Sequence, residues 1–104
     1  MIVVTTNEIA NKNIVSVKGL VQGSTVQSKH VGRDIGASFK TLIGGEVKGY
    51  SELMVEARDI ALKRMIGQAE AFGANAVIGM RYQTSEIMSS ASEVIAYGTA
   101  VVIE

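Results

Sequence analysis

Between Glu93 and Ile103 apolar residues occupy both alternating registers: Val94, Ala96, Gly98, Ala100 and Val102 in one, Ile95, Tyr97, Thr99, Val101 and Ile103 in the other. Side chains of a strand alternate between its two faces, so this segment predicts a β-strand that is largely apolar on both sides. Upstream, Ala76–Tyr82 has a strand-like pattern, and the polar run Ser89-Ser90-Ala91-Ser92 separates the two as a hairpin connection. Near the amino terminus, Val15, Val17 and Gly19 alternate with Ser16 and Lys18, which predicts a half-buried strand over Asn13–Val21. Gly23 supplies a break, and Ser24–Ser28 is a short second strand.

The period changes after Gly32. Ile35, Phe39, Leu42 and Ile43 fall on one helical face, and Gly44-Gly45 ends that short helix, since glycine readily takes the left-handed conformation found just past a helix end. A longer helix follows over Ser51–Phe72, with Leu53, Ala57, Ile60, Ala61 and Met65 as its apolar stripe, Ser51 as N-cap, Glu52 near the positive end of the dipole, and Gly73 as C-cap. The elements predict an α+β domain of two layers: an antiparallel sheet of three main strands plus short extra strands, against one long and one short helix.

A helix layer covers one face of such a sheet, and an open face is normally polar. The two-sided apolar strand therefore requires a second cover, and a neighbouring copy of the chain is the economical one, because most soluble oligomers are closed and symmetric. The alternative is that the short first helix covers that face within one subunit.

With 104 residues the chain fits one domain, residues 1–104. Ten basic and ten acidic residues leave no net charge, and 19% charged residues is below the usual quarter. Without a basic stripe, nucleic acid and anionic membranes are excluded as expected partners. No stretch of about 18 apolar residues occurs, and the residues Met1–Ala10 carry no positive charge ahead of their apolar run. A cytoplasmic protein is expected. With no cysteine, disulfides, thiolate metal sites and thiol catalysis are excluded.

Val31-Gly-Arg-Asp-Ile-Gly36, Gly44-Gly-Glu46 with Tyr50, Glu56-Ala-Arg58 with Ala61 and Arg64, Gly73-Ala-Asn-Ala-Val77 and Ala96-Tyr-Gly-Thr-Ala-Val-Val102 together resemble the YbjQ-like family, from about Val15 to Val102. This is a family of small bacterial and archaeal proteins described as heavy-metal-binding. The resemblance implies a dodecin-like subunit and a ring-shaped homopentamer in which short extra strands contribute to assembly. It implies no reaction.

Soft metals favour thiolate and imidazole, and this chain offers one histidine, His30, in a turn-rich segment where a solvated loop residue is the ordinary reading. A ring that gathers copies of His30 on its axis is the route to a metal site. Met54, Met65, Met80 and Met88 are explained by packing. Nucleophilic catalysis needs a base beside Ser or Thr, and His30 alone could serve as a typical one, so no enzyme is expected. Asp34, Glu46 and Glu56 are assigned to helix ends and ion pairs. Asp59 and Lys63 share a helix face. Gly44-Gly45-Glu46 lacks the preceding strand of a phosphate loop. Tyr97 is a candidate interface anchor, and Gly98 marks a close backbone or side-chain approach. Arg33, Arg58, Arg64 and Arg81 are expected to pair with carboxylates, Arg64 foremost; alternatively, they bind a small anionic ligand between subunits. No cofactor is evident, and a metal ion enters only as an alternative. The leading expectation is a non-enzymatic self-assembling protein, with metal binding and anion binding as its competitors.

Overall fold

Leu53, Ala57, Ala61, Met65 and Ala69 recur every four residues and are all buried. Such a row lies nearly along one side of an α-helix, and its alanines let the helix axis come close to whatever it covers. It covers a sheet. The structure, a computed structural model, describes residues 1–28, 35–88 and 91–104, and for residues 35–48 the backbone alone. The elements run β1 (Ile2–Val3), β2 (Ile14–Ser28), α1 (Ile35–Ala71), β3 (Ala76–Met88) and β4 (Ala91–Ile103). The sheet order is β1-β3-β4-β2; β4 pairs antiparallel with β2 and β3, and β1 runs parallel to β3. The α+β class expected from the pattern is the one observed.

Among the described residues there is one helix, of 37 residues, where two were expected. Gly44-Gly45 does not end it, and Ser51 and Glu52, expected at a helix start, lie in its interior. A glycine weakens a helix by about 1 kcal/mol without forbidding it, and the chain contains no proline to compel a stop. Gly73 does end it, as expected. With φ of 82° it accepts the left-handed conformation, its amide bonds to Glu70 O at 3.0 Å, and the amide of Ala74 bonds to Ala69 O at 3.0 Å. That pair of bonds satisfies the last carbonyls of the helix. On its exposed side Lys63 and Asp59 form the anticipated pair at 2.9 Å, which contributes a few tenths of a kcal/mol.

Gly23 does not break the sheet either: β2 passes through it and is a single strand of 15 residues. Register irregularities between Ile14 and Ser16 and between Val17 and Gly19 interrupt its alternation. A bulge inserts one residue and shifts every later side chain to the other face. Hence Val17, opposite Val101, stands on the face away from the helix, while Val21, opposite Gly98, is fully buried beneath it. The half-buried Val15–Val17–Gly19 face expected from strict alternation is not formed, and both valines are exposed. β3 extends beyond Tyr82 to Met88, and β4 begins at Ala91, so Ala91 and Ser92 belong to the strand rather than to the connection; Ser89 and Ser90 lie outside the described residues.

The main core comprises Val21, then Ala57, Ala61, Met65 and Ala69 of the helix row, and Val77, Met80, Val94, Ala96 and Ala100. Thus one face of β4 lies under the helix, as its pattern required. On the opposite face Val101 and Ile103 are buried with Ala76, and Ile9 from the loop between β1 and β2 packs against them. Among the described residues no short helix covers that face. Asn75 closes the same end, donating from Nδ2 to Ile103 O at 3.0 Å and accepting from the Ile103 amide at 2.7 Å. Its amide group extends the strand ladder by imitating a peptide.

Candidate functional site

Among the described residues β2 is an edge strand, so alternate backbone groups along it have no strand to meet. At Gly23 the helix backbone lies directly against it. A Cβ built there would strike Met65 N and Ala61 O and lie 2.7 Å from Arg64 C. This close approach places two helix side chains over the strand's outer edge. Arg64 donates from Nη1 to Ser24 O at 2.7 Å, and the Gln22 amide donates to Gln68 Oε1 at 2.7 Å. The two spacings match: four helical residues rise about 6 Å, and two strand residues about 6.6 Å. Arg64, Gln68, Gln22 and Ser24, with Glu93 and Ile95, line an open notch of about 450 Å³ along this edge.

The face opposite the helix is the second feature. Its outer strand presents Val17 and Leu20, 67% and 65% exposed, and Val26, 52% exposed. Inward, Ile95, Tyr97 and Thr99 of β4 are half-buried. Tyr97 lies between Gln22 of β2 and Arg81 of β3 in one cross-strand row.

The expected site residues scatter over these features. Among the described residues Arg64 has no carboxylate partner; its guanidinium is held by the Ser24 carbonyl, and Gln68, four residues on, completes the pair. Arg81 likewise donates to backbone, to Thr5 O at 2.9 Å and Met80 O at 2.8 Å, and fastens the segment after β1 to β3. Carbonyls win because each arginine is beside backbone left unpaired at a strand edge or bulge. Tyr50 shares a 3.0 Å hydrogen bond with Ser92 Oγ, the latter buried. Arg58 is exposed on the helix, away from the sheet. Gly98 is a point of close approach, as expected: a Cβ there would lie 2.7 Å from Val77 Cγ1 and 3.0 Å from Ile78 O. Met65 and Met80 are buried, whereas Met88, also assigned to packing, is 65% exposed because it ends an edge of the sheet. His30, Arg33 and Asp34 lie outside the described residues, as does the side chain of Glu46. Gln68 was not anticipated. Its position four residues after Arg64 was the available signal.

A sequence model described as "Putative heavy-metal-binding" matches residues 1–104. The chain belongs to the YbjQ-like family. A UPF0145 protein of Halalkalibacterium halodurans is 62% identical over 104 residues, covering 100% of this chain and 98% of that one. A UPF0145 protein of Thermotoga maritima is 56% identical with the same coverage. Among solved structures, a protein of unknown function of the DUF74 family from Pediococcus pentosaceus has a TM-score of 0.60 at 18% identity, covering 100% of this chain and 98% of that one, a likeness of fold. None of these names is that of an enzyme.

The family description can be set against the donors. Among the described residues no three of His, Cys, Asp and Glu come together as a metal site. They do not supply the imidazole or thiolate set that a soft ion favours; His30 lies outside them. No helix among the described residues is long and apolar enough to cross a membrane.

Proposed function

We propose that the chain is the subunit of a symmetric homo-oligomer, a ring of five in the reading its family resemblance implies, and that it acts as a non-enzymatic assembly in the cytoplasm. One observation carries this: the sheet face opposite the helix bears Val17 and Leu20 two-thirds exposed beside half-buried Ile95 and Tyr97. Apolar surface of this kind, concentrated on one sheet face and flanked by Gln22, Ser24 and Arg81, is the composition of an interface with a polar rim. The loop carrying Ile9 covers one end of the face, and a second copy would cover the remainder.

Light scattering with native mass spectrometry at micromolar concentration tests it. A mass about five times the subunit's 11.0 kDa is expected, and Val17→Asp with Leu20→Asp should reduce it to a single subunit without loss of helix by circular dichroism. A parent of one-subunit mass would defeat the proposal.

The family description favours a second reading, metal binding through His30 copies gathered by the ring. It predicts stoichiometric zinc uptake, measured by elemental analysis of the purified oligomer, that His30→Ala abolishes. Uptake equal in parent and variant would refute it.

A further inference from the structure

A fifteen-residue edge strand is a template for another strand, and an apolar one invites uncontrolled pairing. β2 is such a strand, with Val15, Val17, Leu20 and Val26 exposed along it. Its amino-terminal arm carries two register irregularities, and bulges blunt an edge by twisting it away. Its middle has no bulge. There the outward-facing amide of Gln22 and carbonyl of Ser24 are already occupied, by Gln68 Oε1 and Arg64 Nη1. These are the groups that an added strand would use first, and the two side chains place an acceptor and a donor where its backbone would place them. Beyond them Val26–Ser28 is shorter than the usual strand of five or six residues.

We propose that Arg64 and Gln68 form an edge clamp that closes the middle of β2 to strand addition, so that a second copy of the chain meets the face of the sheet there and not the middle of β2. The clamp depends on Gly23, because a helix held further off would leave both side chains short of the strand. A charged side chain over an edge also repels the close approach of further backbone, since a pairing strand would have to strip water from the guanidinium. The choice of a second copy as partner rests on the assembly reading above; the closure of the edge does not.

Two measurements test it. Hydrogen exchange by NMR on the full chain should show the Gln22 amide protected, and Gln68→Ala should accelerate its exchange at least tenfold while Ala96 and Ala100 of β4 keep their rates. In the double variant Arg64→Ala with Gln68→Ala, thioflavin T fluorescence should rise several-fold over the parent at equal concentration, and light scattering should report larger, mixed species; Arg64→Lys, which keeps a charge at the edge, should retain the parent's size distribution. Unchanged exchange at Gln22 overturns the clamp whatever the mass of the parent, and so does a folded double variant with the parent's size distribution and fluorescence. A one-subunit parent with accelerated Gln22 exchange in Gln68→Ala would sink the assembly reading and leave the clamp standing.

Discussion

Gly23→Ala should lower the stability of the chain by about 3 kcal/mol or more, at the upper end of what overpacking costs, or prevent folding at 37 °C. The reason is what the new methyl group meets. Its neighbours are backbone atoms, Met65 N, Ala61 O and Arg64 C, and no rotamer change can move them aside. The helix must shift away as a unit, loosening the Ala57, Ala61, Met65 and Ala69 row from Val21 and Ala96 together. Gly67→Ala is the internal contrast. Gly67 is an exposed helical position with nothing within 4 Å of an added Cβ, so this change should stabilise by about 0.5–1 kcal/mol through helix propensity and a less free unfolded chain. Urea midpoints for parent and both variants, at one protein concentration because assembly couples to stability, would decide. A Gly23→Ala midpoint equal to that of the parent would show that the helix does not rest on the strand as described.

Met65→Ala should cost about 2–5 kcal/mol, the range for truncating a buried methionine. Among the described residues Met65 is the largest side chain buried completely, and it is flanked along the helix by alanines that cannot reach into the space left behind. A row built from small residues has little capacity to collapse, which places the expected loss in the upper half of that range. Met65→Leu, close in volume, should cost less than about 1.5 kcal/mol. Thermal unfolding followed by circular dichroism would distinguish the two, since 1 kcal/mol moves the midpoint of a domain this size by about 4–8 °C. Equal midpoints for the two variants would mean that the shape of the cavity does not matter at this site.

The carboxy-terminal half was legible without coordinates. The two apolar registers of Glu93–Ile103, the helical stripe of Leu53, Ala57, Ile60, Ala61 and Met65, and Gly73 past the last turn are each local signals that report directly on local structure, although β4 begins two residues earlier, at Ala91. Where reading failed, a local preference was opposed by something remote. Gly44-Gly45 is free to end a helix, yet permission is not compulsion. Gly23 suggested a break in the strand because glycine in isolation weakens one. Its role is set by the helix some forty residues later along the chain, whose backbone occupies the space a side chain would need.

The candidate site shows the same division more sharply. Alternation determined that β4 would be apolar on both faces, and composition determined that neither thiolates nor a field of net charge would act here. Tertiary structure alone decided which face lies under the helix. It also decided that the bulge between Val17 and Gly19 turns Val17 outward and Val21 inward, and that Arg64 and Gln68 meet an unpaired strand edge. The physical reason is range. Periodicity and capping act within a few residues, whereas a strand's edge is defined by the neighbour it lacks, and that absence exists only after the whole sheet is ordered.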